Sequence, residues 1–292
     1  MNESSVRTDP AAPPALPSAQ PRGDFILPLQ GMRGLAALWV AVMHVVHESY
    51  FTSLAAFLPA PVTNAIFHGY VGVDIFFVLS GFVMCHVYKA QFDALRWRAY
   101  PHFLLIRLGR IYPLHLLILL IYGVVALGYI ATGRPLDPQR YSASCFVESV
   151  LLVHSWGWRD YTLCWNIVSW SISAEWMAYL AFPFILLALR RRIAPSLCLL
   201  GAFACSVAII AVMADALGLS AGRVHGLANV TRMAGGFVAG CLLHSAYRSA
   251  ALRRAPWPSI GAAAFIALFR FKAGIIPLIG TCGAAGLILT LI

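Results

Sequence analysis

Apolar segments long enough to cross a bilayer recur along this chain, and they restrict it to one kind of fold. Stretches of about 17 to 25 residues lie near 27–47, 70–88, 109–131, 166–189, 195–217, 228–247, 256–271 and 273–292. Composition agrees: 60% of the residues are hydrophobic and 11% charged, and the mean hydropathy is +0.78. A soluble domain with so little charge is hard to keep dispersed. The expected fold is all-α, a polytopic integral membrane bundle of about eight to nine transmembrane helices.

Residues 1–24 are rich in Pro, Ala and Ser and read as a disordered tail ahead of a membrane domain at 25–292. The tail lacks the basic, apolar and small-residue layout of a cleavable signal, which makes the first apolar stretch a retained span. Short loops rich in Lys and Arg stay in the cytoplasm. Segment 48–69 has neither residue, whereas 89–110 has Lys89, Arg96, Arg98, Arg107 and Arg110. The amino terminus is therefore expected in the cytoplasm and the chain in the inner (plasma) membrane. Segment 141–156 is short for a span. Reading it as re-entrant or interfacial keeps Arg190, Arg191, Arg192, Arg248, Arg253 and Arg254 on the cytoplasmic side. The net charge of +10 follows from such loops, and no basic soluble face for nucleic acid is visible.

An ionisable side chain at membrane depth costs about 2.5 to 3.5 kcal/mol even on lenient insertion scales, so those present are candidates for function. Arg33 and His44 share the first apolar stretch, GMRGLAALWVAVMHVVH. Eleven steps of about 100° return close to the starting face, which puts a cation and a titratable base on one stripe about 16 Å apart. The carboxylates in or beside spans are Asp74, Glu175 and Asp215. Asp74 and His44 each fall about four residues from the external end of a predicted span, so antiparallel neighbours would hold them at similar depth. A carboxylate there makes His a better general base; the other reading of Asp74 is a helix cap or the partner of a structural Arg.

Glu175 falls about ten residues into its helix, near the midplane. It must be neutral, paired with a cation such as Arg33 or Arg232, or open to a watery cavity. Trp170, Ser171, Ser173 and Tyr179 share that helix, which suits a cavity lining or a buried network better than lipid. Arg107 and Arg110 map to the internal end of the third span, at the same edge as Arg33. Three guanidiniums could thus converge on one ligand with several phosphates.

The other histidines lack metal-ligand spacing and no cysteine lies in a CxxC pair, so no metal site is expected. His115 and His154 stand out among them. Of the seven cysteines, Cys145 and Cys164 alone map outside, where a disulfide is permitted; their spacing leaves the bridge open.

These segments resemble one family closely, the membrane-bound acyltransferase family 3, whose members O-acylate cell-surface sugars. The resemblance starts in LQGMRGLAALWVAVMHVVH, where Arg33 and His44 match that family's Arg, ten residues, His signature. It continues in GYVGVDIFFVLSGFVM, RLGRIYPLHLL and WNIVSWSISAEWMAYLAFP, and more weakly in TRMAGGFVAGCLLH. The resemblance implies a bundle of roughly ten transmembrane helices, with acetyl-CoA as donor entering from the cytoplasm and the acceptor acylated on the other side. It further implies His44 as catalytic base, with Arg33, Arg107 and Arg110 on the coenzyme. Ser80 and Gly81 match an SGF turn, and Glu175 matches the acidic residue after the WS-S pattern. Two departures stand out. Gln30 replaces the family's usual Asp, and the chain stops in an apolar helix without the closing G-x-x-S-Y-x-x-Y-L-x-H pattern, so the last helix of the family is expected to be missing.

The preferred function is membrane-bound O-acyl transfer from acyl-CoA to a hydroxyl of a cell-envelope or exported carbohydrate, with His44, Asp74 and Glu175 as catalytic candidates. A transporter or flippase is the alternative, because intramembrane Asp, Glu, Arg and His also serve substrate and proton paths; the internal repeats it predicts are not evident. A third possibility is a truncated member that binds acyl-CoA without transfer.

Overall fold

The computed structural model describes residues 27–48, 57–93, 99–157, 164–189 and 226–248, with a few positions between 194 and 205. Every element among them is helical. They are α1 (Leu27–Glu48), α2 (Ala60–Phe67), a 3-10 turn (His68–Tyr70), α3 (Val71–Asp93), α4 (Tyr100–Ala131), α5 (Ala143–Val150), a second 3-10 turn (Ile167–Ser169), α6 (Trp170–Ala188) and α7 (Gly226–Tyr247). The tail at 1–24, Arg190 to Arg192, Arg253, Arg254, Asp215 and the predicted spans at 256–271 and 273–292 lie outside the described residues.

Among the described residues, three helical stretches are long and apolar enough to cross a membrane: Ala60–Ala90, Tyr100–Ala131 and Ile167–Ala188. Gly31–Val46 is a shorter apolar helix. The second span therefore begins at Ala60, well before the predicted 70, because α2 and the 3-10 turn run directly into α3. The third begins at Tyr100, before the predicted 109, so Arg107 and Arg110 sit within α4 instead of at its end. Segment 141–156 holds only the eight-residue α5, too short to cross.

With lipid as the solvent, helices associate through close packing and polar contacts. The seam between α3 and α7 shows both, and the two helices run parallel. A Cβ on Gly81 would meet the Phe237 carbonyl, one on Gly240 the Val78 carbonyl, and one on Gly236 the Phe77 side chain. Gly236 and Gly240 form a G-x-x-x-G pair that lets the backbones approach this closely. The match to an SGF turn is corrected here: Ser80 and Gly81 lie in the uninterrupted middle of α3. Gly81 is needed for contact with α7, and the chain does not reverse there.

Helix α1 runs antiparallel to α3. Gly69 abuts Trp39 and Met43, Gly72 abuts Val40 and the Ala36 carbonyl, and Trp39 Nε1 donates to the Ala65 carbonyl at 2.7 Å. Aromatic rings fill the centre: Phe103 stacks on Phe182 with centroids 5.7 Å apart, and Tyr100 OH donates to the Leu180 carbonyl at 2.9 Å, joining α4 to α6. By contrast Leu105, Leu114, Leu117, Val124 and Leu127 of α4 are exposed, the arrangement expected of a face turned to lipid.

Candidate active site

Glu175 is the centre of a polar network inside the bundle. Its Oε1 accepts from Ser80 Oγ of α3 at 3.1 Å and from Tyr179 OH, one turn along α6. Tyr179 in turn lies under the Arg107 guanidinium, whose carbon is 5.9 Å from that ring and 4.6 Å from the ring of Tyr88. Arg107 Nη2 also donates to Tyr88 OH at 2.6 Å. These contacts explain how an arginine that is only 8% exposed is tolerated within an apolar helix: its charge is held by a hydroxyl and two π faces.

Arg33 enters the same network from α1. It interacts electrostatically with Arg110, Glu175, Tyr179 and Arg107, and Tyr179 likewise with Glu175, Arg107 and Arg110. Arg33 thus acts on Glu175, and all three guanidiniums act on Tyr179, whose hydroxyl donates to that carboxylate. The Nε atoms of Arg33 and Arg107 are buried and have no hydrogen-bond partner. A buried donor without an acceptor costs about 1–3 kcal/mol, more when charged. Two such donors in a cluster with surplus positive charge are suited to an anion with several oxygens.

His44 and Asp74 are placed elsewhere. Asp74 receives both Nε and Nη2 of Arg232, at 3.0 and 2.9 Å, in a buried two-point pair. Arg232 Nη2 also donates to the Tyr70 carbonyl at 3.4 Å, and its guanidinium carbon lies 5.2 Å from the Trp170 ring. Of the two readings of Asp74, the pairing with His44 is therefore overturned and the partnership with a structural arginine, Arg232, is the one found. The reason is register. With Gly72 against Ala36 and Val40, Asp74 lies deeper along α1 than His44, because the span starts at Ala60. His44 Nδ1 is 2.8 Å from the Val40 carbonyl. A carbonyl only accepts, so Nδ1 carries the proton and the basic lone pair is left on Nε2.

The structure thus brings together Arg33, Arg107, Arg110 and Glu175, and leaves His44 and Asp74 outside that cluster. Tyr179 carried a signal, since it falls four residues after Glu175 and so shares its face; Arg232, a candidate partner of Glu175 by sequence, pairs with Asp74 instead; Tyr88 carried no signal.

A second polar group lies at the amino-terminal end of α6, around Ser169 and Ser173. Cys145 and Cys164 are joined by a disulfide with Cα atoms 5.3 Å apart. It ties α5 to the turn ahead of α6. Beneath it the rings of His115 and His154 stack with centroids 6.1 Å apart. His115 Nε2 donates to the Ser149 carbonyl at 2.9 Å, and His154 Nε2 lies 3.1 Å from Ser169 Oγ. Burial, reinforced by the neighbouring His115, lowers the pKa of His154 to about 4. Ser173 Oγ donates to the Leu152 carbonyl at 2.8 Å, where Leu152 reverses the chain with φ of 57°.

Comparison with known proteins agrees with the sequence motifs. The acyltransferase domain of acyltransferase family 3 matches residues 27–281, and the chain belongs to that family. It is 32% identical over 161 residues to acyltransferase MdmB of Streptomyces mycarofaciens, an alignment covering 53% of this chain and 38% of the relative. It is 34% identical over 119 residues to protein 2 in the picA locus of Rhizobium radiobacter, covering 40% of this chain and 54% of the relative. The chain thus spans roughly half or less of these relatives. No solved structure matches.

Proposed function

We propose that the protein moves an acyl group from acyl-CoA to a hydroxyl of a cell-envelope or exported carbohydrate. The observation that carries this reading is that Arg33, Arg107 and Arg110 all act on Tyr179, the hydrogen-bond partner of Glu175, with two buried Nε donors left over. Family membership and the acyltransferase name of the Streptomyces relative support it.

In this mechanism the arginines hold the phosphates of acetyl-CoA, and Glu175 with Tyr179 keeps the guanidiniums from repelling one another. His44 lies about 16 Å further along the α1 stripe, a reach suited to an extended pantetheine arm. Its Nε2 removes the acceptor hydroxyl proton as the oxygen bonds to the thioester carbonyl carbon. The carbon–sulfur bond then breaks, and the imidazolium returns the proton to the departing thiolate. Asp74 acts at one remove, by fixing α3 against α7. The distribution of Lys and Arg supports a cytoplasmic amino terminus, with the arginine cluster on the coenzyme's side and His44 towards the acceptor's.

The test is acetyl-CoA binding and hydrolysis by the purified protein in detergent, with His44→Ala and Arg33→Ala alongside. Arg33→Ala should lose affinity, and His44→Ala should bind but not turn over. Turnover retained in His44→Ala rejects the base, and wild type that does not bind acetyl-CoA rejects the donor.

A further inference from the structure

Segment 151–157, too short to cross a bilayer, folds back onto the first turns of α6, and one hydroxyl grips it there. Ser173 is fully buried. Its Oγ accepts from the Ser155 N–H at 3.1 Å and donates to the Leu152 carbonyl at 2.8 Å, so its proton and a lone pair are both spent on one short piece of chain. The Ser173 carbonyl accepts from Trp156 Nε1 at 3.1 Å, and one turn earlier Ser169 Oγ meets His154 Nε2 at 3.1 Å. Leu152 has a φ of 57°, a left-handed conformation that a leucine keeps only where its surroundings hold it. Ser173 is the side chain that holds its carbonyl.

Glu175 follows Ser173 by two residues, about 200° around the helix and about 3 Å along it. The two side chains therefore leave α6 on opposite sides. Towards α3, Glu175 accepts from Ser80 and from Tyr179, on which all three arginines act. A grip on the opposite side fixes how far α6 is turned about its own axis. The end of a side chain lies about 5–6 Å from that axis, so a turn of about 10° carries it about 1 Å. A displacement of that size costs up to about a hundredfold where groups must be held in place. Arg107 depends on such placement, with its guanidinium carbon 5.9 Å from the Tyr179 ring.

We propose that Ser173 is a positioning residue for the arginine site: through it, segment 151–157 sets the rotation of α6 at which Glu175 and Tyr179 meet the guanidiniums. Ser173 touches no ligand and acts through those two side chains. That the site takes a coenzyme phosphate rests on the acyl-CoA reading; that Ser173 aims α6 does not.

The full chain in detergent is titrated by calorimetry with acetyl-CoA and, separately, with inorganic pyrophosphate. Wild type, Ser173→Ala, Ser173→Thr and Trp156→Phe are compared, each well below its own melting midpoint. Ser173→Ala should bind about tenfold more weakly at unchanged stoichiometry, because a turned α6 carries Tyr179 from beneath Arg107. Trp156→Phe, which removes one bond of the grip, should lose about threefold, and Ser173→Thr, which keeps the hydroxyl, should stay nearest wild type. A merely structural loss reads differently, since unfolded molecules lower the stoichiometry and leave the affinity of the rest as it was. Wild-type affinity in Ser173→Ala, or a loss confined to stoichiometry, overturns the proposal; should that variant not fold, Trp156→Phe decides by the same two numbers. Wild type that binds pyrophosphate but not acetyl-CoA rejects the donor alone, and the Ser173 series is then judged on pyrophosphate. Wild type that binds neither overturns both.

Discussion

Asp74 and Arg232 form a two-point ion pair across the α3–α7 seam, with Arg232 Nη2 2.9 Å from Asp74 Oδ2 and side chains 3% and 11% exposed. Two charges buried together are matched; either one alone is not. Asp74→Asn or Arg232→Met should each destabilise by about 3–5 kcal/mol, because the remaining charge has no way back to water. Replacing both, as Asp74→Leu/Arg232→Met, should recover much of that loss. Thermal unfolding in detergent separates the three cases. Should Asp74→Asn prove as stable as wild type while losing turnover, Asp74 would be acting on the reaction directly.

Gly81→Ala should cost about 1–3 kcal/mol, since the new methyl meets the Phe237 carbonyl and the two helices must separate. Gly109→Ala serves as its control, because a Cβ there meets nothing within 4 Å. The paired melting curves check this: equal midpoints for the two variants would remove the seam from the account.

Glu175→Gln tests the balance of charge in the cluster. The carboxylate acts on Arg33 and holds the hydroxyl of Tyr179, on which Arg107 and Arg110 also act, so its neutral analogue should lower stability by about 1–3 kcal/mol and leave acetyl-CoA binding equal or several-fold tighter. Isothermal titration against the coenzyme gives the sign. Weaker binding would mean that Glu175 contacts the ligand itself.

The disulfide closes a loop with a sequence separation of 19. On the chain-entropy account, opening such a loop costs about 3 kcal/mol. Cys145→Ser should therefore melt earlier than wild type, and reductant should lower the wild-type midpoint while leaving that of the variant unmoved.

Acid should weaken the region under that disulfide. The pKa of His154 is lowered from the ordinary 6.5 to about 4, so the unfolded chain binds the proton more readily than the folded one. Its contribution is complete above about pH 6.5 and declines as pH falls through about 4, by roughly 3 kcal/mol at the limit. Melting midpoints of wild type and His154→Gln, compared between about pH 7 and pH 4.5, should converge on the acid side. Parallel curves would show that another group governs the loss.

The ionisable candidates were legible in the sequence because lipid makes every buried charge conspicuous. Glu175 stood out on cost, and Arg33, Arg107 and Arg110 by a shared membrane edge; in the structure Arg33 acts on Glu175, and all three arginines act on Tyr179 beside it. An arginine as the partner of Asp74 was one of the readings open in the sequence; which arginine was not legible. The depth of Asp74 had been counted from an apolar stretch starting near 70, and the polar Asn64 and His68 concealed that the helix already runs from Ala60. Arg232 gave no sign of where it pointed, for periodicity orders residues on one helix and is silent about the helix beside it.

Sequence alone determined that this chain crosses a membrane as helices, because an apolar run in hydrocarbon has no other way to satisfy its backbone. It also determined the face shared by Arg33 and His44, and that shared by Glu175 and Tyr179, which follow from 3.6 residues per turn. Only the tertiary structure decided which charge meets which: Asp74 with Arg232, Glu175 with Ser80 and Tyr179 beneath the arginines, His86 with His244. Those choices depend on the register between helices, and that register is set where Gly69, Gly72, Gly81 and Gly240 allow one backbone to rest against another. Contacts between distant segments of this kind leave no periodic trace in the chain.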